Sequence, residues 1–118
     1  MQWTGWRAAL VAAAIMMPAT AMAQGELVVY SANEQTLDEL VFDAFKKETG
    51  ITVQPVSGGS GVVFRRIVAE KDRPLGDIVW GVSRSLLQTH KAYFAPYRSI
   101  NHDAIPAEFR DPDDLWIG

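Results

Sequence analysis

The sequence contains no cysteine. Disulfides are thereby excluded, and so is thiolate chemistry of either the redox or the metal-binding kind. Histidine is nearly as scarce: His90 and His102 are the only two, and neither has a partner at the HxH or HxxxH spacing of a metal site. Basic side chains are outnumbered, with 11 Lys and Arg against 14 Asp and Glu and a formal net charge of −3. That balance argues against a nucleic-acid partner, which calls for a basic patch. There is no GxSxG nucleophile motif and no Ser–His–Asp order in a catalytic context. The acidic turn Asp111-Pro112-Asp113-Asp114 lacks calcium-loop spacing. Internal repeats and low-complexity linkers are also missing.

Only one long apolar run is present, at the N-terminus. Arg7 precedes Ala8–Met17, Pro18 breaks the run, and Ala21 and Ala23 follow with the small-x-small spacing of a signal-peptidase site. The order matches a cleaved secretory signal over residues 1–23. The apolar core is about half the roughly 20 residues a spanning helix needs, and no lipid-accepting cysteine follows. The expected mature chain, 24–118, is the size of one small domain with one modest core.

Along that chain, Glu26–Ser31 is a β-branched and aromatic run that predicts a strand buried on both faces. Asn33 and Thr36 are candidate N-caps. Leu37, Leu40, Val41, Ala44 and Phe45 recur at helical spacing and predict the inward stripe, with Asp38, Glu39, Lys46 and Lys47 off it. Gly50 fits the left-handed residue that ends a helix. A second strand is expected at Ile51–Val56, a polar loop at Ser57–Gly61, and a helix from about Val62 to Asp72, with Pro74 blocking its continuation. A third strand at Gly76–Gly81 leads to a helix capped by Ser83 or Ser85 and running to about Ala92. The order is βαβαβα, which implies a three-layer α/β unit with a parallel sheet.

The carboxyl ends of the three strands then share one edge, where open parallel sheets bind ligands. Three loops gather there: Ser31–Glu34, Ser57–Gly61 and Gly81–Ser85. Each opens a helix, whose free N–H groups and positive dipole end favour anions. The candidate ligand-binding residues are Ser31, Ala32, Asn33, Glu34, Ser57, Gly58, Ser60, Gly61, Gly81 and Ser83. The Gly/Ser loop has no P-loop lysine and no dinucleotide spacing; an ordinary flexible turn explains it equally well. Glu34 can ligate a cation or hold an amine, or simply favour a helix N-terminus. Asp77, at the opposite end of its strand, reads as structural. Tyr30 and Trp80 read as core.

Leu27-Val28-Val29-Tyr30-Ser31-Ala32, then a helix closing on Glu48-Thr49-Gly50-Ile51-Thr52-Val53, resembles the opening of periplasmic solute-binding proteins of ABC importers. Ser57–Gly61 with Ala69–Asp77, Phe94–Ser99 and Ile105–Asp113 narrows the resemblance to the ferric-iron-type branch, and it covers the whole mature chain. The resemblance implies a periplasmic-binding-protein-like (class II) fold with two α/β lobes, a hinge, and ligand trapped between them. It implies a periplasmic, monomeric binder rather than an enzyme, delivering its load to a permease and ATPase. On that frame, residues 24–118 are an N-terminal lobe and the chain an N-terminal fragment. The family's first-lobe histidine falls on Glu34 and its glutamate on Val82. Glu34 thus remains as the sole candidate metal ligand, and Fe3+ as transported ligand competes with a phosphate-, phosphonate- or carboxylate-bearing solute. No resident cofactor is expected. The rival readings are an exported phosphate-handling hydrolase, for which no catalytic constellation is found, and a non-functional truncated fragment.

Overall fold

A computed structural model describes residues 25–118; the expected signal peptide lies outside the described residues. The elements are β1 (Glu26–Ser31), α1 (Gln35–Thr49), β2 (Thr52–Ser57), α2 (Ser60–Ala69), β3 (Ile78–Trp80) and α3 (Arg84–Thr89). Three short 3-10 turns follow, at Lys91–Tyr93, His102–Ala104 and Ala107–Phe109. The sheet is parallel with strand order β2-β1-β3. Ser31 pairs with Ser57 on one side and with Trp80 on the other, so all three strands end at the same level.

Neighbouring residues on a strand point to opposite faces, and β1 shows which helix lies on each. The Ser31 hydroxyl donates to Asp38 of α1, whereas the Tyr30 ring lies under Arg66 of α2 and its hydroxyl bonds Glu70. The sheet is therefore sandwiched, α1 on one face and α2 on the other. Val29, Tyr30, Val63 and Phe64 form the buried centre, and Trp116 is buried in the C-terminal segment.

Several local expectations shift. Residue 34, rather than Asn33 or Thr36, caps α1, and its side chain makes no capping bond. Helix α2 starts at Ser60, so the polar loop shrinks to Gly58 and Gly59. Strand β3 is only three residues long; Asp77 extends the pairing from outside it, its Oδ2 accepting from the Val28 N–H at 2.8 Å. Helix α3 ends at Thr89, where His90 caps it and stacks on Phe64. Gly50 does terminate α1 in the left-handed conformation, at φ 74°.

The largest difference is the rotation of α1. Leu37, Leu40 and Val41 are exposed, Leu40 at 70%, whereas Asp38 is buried at 3%. At 100° per residue, apolar character spans about 200° of this helix, twice what one interface covers. Packing of Phe42 on Trp80, with ring centroids 5.2 Å apart, and the Asp38–Ser31 bond select which half faces the sheet.

The C-terminal segment is held by an ion pair. Lys91 Nζ lies 2.6 Å from Asp111, which is 2% exposed and whose Oδ2 also accepts from the Asp113 and Leu115 N–H groups. Burial pushes the Asp111 carboxyl up, but Lys91 and these N–H donors outweigh it and hold it below the usual carboxylate range. The unfolded chain thus protonates this group first. Its stabilising contribution is present above the ordinary carboxylate pKa of about 3.9 and disappears as pH falls through the lower folded value. Acid unfolding followed by tryptophan fluorescence is expected to show a shallower low-pH limb in Asp111→Asn than in the parent chain. An unchanged limb would contradict this.

Candidate functional site

The structure gathers the three loops at the carboxyl edge of the sheet and bonds them to each other. The Ala32 N–H donates to the Trp80 carbonyl and the Gly58 N–H to the Ser31 carbonyl, both at 3.0 Å. The Ser83 N–H donates to Ser60 Oγ at 3.2 Å, joining the third loop to the start of α2. The Asn33 amide lies against Gly81, where a β-carbon would come within 2.2 Å of it. Gly81 adopts φ +69°, a conformation glycine takes without a steric cost.

Individual site residues take different places within this cluster. Glu34, Ser57, Gly61, Gly81 and Ser83 are exposed; Ala32, Asn33, Gly58 and Ser60 are half-buried. Ser31 is fully buried, its hydroxyl given to Asp38. Ser83 caps α3 by accepting from the Leu86 N–H, and its hydroxyl also meets Ser85.

The helix starts differ in charge. Helix α1 has Glu34 at its N-cap and carries Asp38 in its first turn. Helix α2 has Gly59 at its N-cap, with no side-chain cap and no acid in its first turn. Its first N–H groups belong to Ser60 and Gly61, and Arg65 Nη1 sits 3.7 Å from the place of a Gly61 β-carbon. An oxyanion is therefore best served at α2, where unsatisfied N–H groups and the dipole act without a competing carboxylate. The acidic start of α1 suits a cationic group instead.

Two residues escaped the sequence reading. Asp38 looked like a surface acid; Phe42, spaced to share its face, was the available signal. Arg84 opens α3, donates to the Glu108 carbonyl at 2.7 Å and lies 4.8 Å over the Trp116 ring. It ties the third loop to the C-terminal segment, and no local pattern foretells that contact. A cavity of about 1290 Å³ runs along the open edge of β3 between Leu75 and Tyr97 and meets the three loops only around Gly81. The edge carrying the candidate residues is an open surface.

No family model matches the sequence. A Salmonella typhimurium periplasmic protein provisionally assigned to 2-aminoethylphosphonate binding is 36% identical over 78 residues, 62% of this chain and 23% of that protein. The solved structure of Trichodesmium FutA with iron and citrate matches with a TM-score of 0.72 and 28% identity, over 80% of this chain and 31% of that one. This chain is homologous to periplasmic binding proteins of the ferric-iron type. A third relative in this group is the periplasmic binding protein AfuA of Actinobacillus pleuropneumoniae, solved with fructose-6-phosphate bound. It has a TM-score of 0.69 and 27% identity over 81% of this chain and 31% of its own. The chain spans about a quarter to a third of the length of the relatives it matches. These homologues are binding proteins, and the parallel sheet with helices on both faces is their fold.

Proposed function

We propose that this chain is the solute-binding lobe of a periplasmic component of an ABC importer, and that its three-loop edge takes a small phosphate- or phosphonate-bearing solute. The carrying observation is the start of α2, an uncapped helix N-terminus without a first-turn acid, set among loops that hydrogen-bond to one another. Ser60 and Gly61 would hold the oxyanion through backbone N–H groups and the Ser60 hydroxyl. Ala32, Asn33, Gly58, Gly81 and Ser83 would shape the wall around it, with Ser57 at its edge. Glu34 would face any ammonium group on the solute. The Salmonella and Actinobacillus relatives support this class, since the one is assigned an aminophosphonate and the other was solved with a sugar phosphate. Ferric ion, present with citrate in the Trichodesmium structure, remains the competing cargo. The donors at this edge are N–H groups, hydroxyls and one carboxylate, which suit an oxyanion better than a bare ferric ion.

In this reading the protein works in the periplasm as a monomer. A second lobe closes over the solute, ligand shifts the population toward the closed form, and the loaded protein meets a permease driven by an ATPase. Calorimetric titration of the purified chain with 2-aminoethylphosphonate, inorganic phosphate, fructose-6-phosphate and ferric citrate tests the cargo. A phosphorus oxyanion is expected to bind with a dissociation constant on the order of millimolar, about −4 kcal/mol, because one lobe supplies only part of the contacts. Heat from ferric citrate alone would overturn the oxyanion assignment.

A further inference from the structure

We infer that Asp38 is a positioning residue that holds the three loops of the solute edge in place through Ser31; its functional meaning rests on that edge being the solute site. Asp38 is 3% exposed. One of its carboxylate oxygens accepts the Ser31 hydroxyl at 2.8 Å, and the other is buried with no hydrogen-bond partner among the described residues. A half-satisfied buried carboxylate is costly. An aliphatic side chain at this position would instead complete the apolar face that Phe42 and Phe45 present to the sheet. Service to the helix dipole does not require burial, since an exposed first-turn acid does the same. What burial adds is the bond to Ser31.

Ser31 is the residue on which the loops converge. With its proton given to Asp38, the hydroxyl oxygen is left to accept, and it takes the Asn33 N–H at 3.1 Å. The Ser31 carbonyl takes the Gly58 N–H, and the next residue, Ala32, donates to Trp80. Asp38 therefore sets the orientation of one buried hydroxyl, and that hydroxyl turns the first loop toward the other two. The Asn33 amide, packed on Gly81, lies at the end of this chain of contacts.

Amide hydrogen exchange on the purified chain tests the inference, comparing Ser31→Ala, Asp38→Ala, Asp38→Asn and the double variant Ser31→Ala/Asp38→Ala with the parent. Asp38→Ala and Ser31→Ala are each expected to speed exchange at Asn33 by about tenfold relative to Phe64 inside α2. The double variant should be no faster than either single one, because both break the same contact. Asp38→Asn keeps an acceptor oxygen for Ser31 and should restore most of the protection. Unchanged relative exchange at Asn33 in Asp38→Ala, or additive effects in the double variant, would overturn the inference. Should Asp38→Ala fail to fold, protection in Asp38→Asn together with its loss in Ser31→Ala supports the inference, and protection retained in Ser31→Ala overturns it. A titration of each variant with inorganic phosphate and 2-aminoethylphosphonate separates the positioning role from the solute assignment. Failure of the parent chain to bind either probe overturns the solute assignment while the exchange result stands alone. Undiminished binding by an Asp38→Ala chain with loosened loops overturns the positioning role.

Discussion

Phe64→Ala is expected to cost about 3–5 kcal/mol of folding stability, the usual range for emptying a buried phenylalanine site. Phe64 is 2% exposed and sits where α2, α3 and the following segment meet. Its ring lies 4.6 Å from the His90 ring and 6.1 Å, edge-on, from Phe94. Truncation removes the contact that fastens α3 to α2 as well as the buried area. Domains of this size are stable by only about 5–15 kcal/mol, so much of the total would be lost. Urea unfolding followed by tryptophan fluorescence measures it. A loss below about 1 kcal/mol would show that the site collapses around the smaller side chain and that the packing there is loose.

Gly81→Ala is the second large effect, and it reaches the solute edge directly. A side chain at φ +69° costs about 1–2 kcal/mol, and the new β-carbon meets the Asn33 amide at 2.2 Å. That amide ends a short side chain and can swing away, which limits the overpacking to about 1 kcal/mol, the low end of the usual range. The expected total is about 2–3 kcal/mol, with the Asn33 amide displaced from its place between the first and third loops. The double variant Gly81→Ala/Asn33→Ala should recover the overpacking part and leave the backbone part, so the two variants together separate strain from collision. If Gly81→Ala matched the parent chain in both stability and solute binding, the close fit of Asn33 against Gly81 would be refuted.

The fold follows from sequence features that carry their own physics. β1 has the predicted boundaries because a run of β-branched and aromatic residues has few other homes, and Gly50 ends α1 because the left-handed turn there favours glycine. The rotation of α1 was not legible. The predicted stripe of Leu37, Leu40, Val41, Ala44 and Phe45 is more apolar than the arc of Asp38, Phe42 and Phe45, yet the second arc faces the sheet and only Phe45 is shared. Periodicity shows that a helix has an apolar side; it does not show which of two adjacent apolar arcs a particular sheet will take. Trp80 and Ser31 decided that, and both lie far from the helix in sequence or on another element. The start of α2 was missed by two residues for a related reason: glycines and serines at 57–61 satisfy a loop and a first helical turn equally well.

At the edge itself, alternation of strands and helices was enough to bring the three loops together. It could not distinguish residues that face solvent from those that hold the wall. Ser31 and Ser60 look alike in sequence, but one is buried against Asp38 and the other sits at the mouth of α2. The cross-loop bonds that separate their roles join residues up to 48 positions apart, as in Ala32 to Trp80, beyond the reach of local pattern.

The central claim is that the solute meets the protein at the carboxyl edge of the sheet, and backbone amide shifts during a titration with 2-aminoethylphosphonate test it most directly. The expected result is a set of saturable shifts at Ala32–Glu34, Gly58–Gly61 and Gly81–Arg84, largest at Ser60 and Gly61. Shifts concentrated instead along the open edge of β3, at Tyr93–Tyr97 and Leu115–Gly118, would place the solute in the neighbouring groove and contradict the claim.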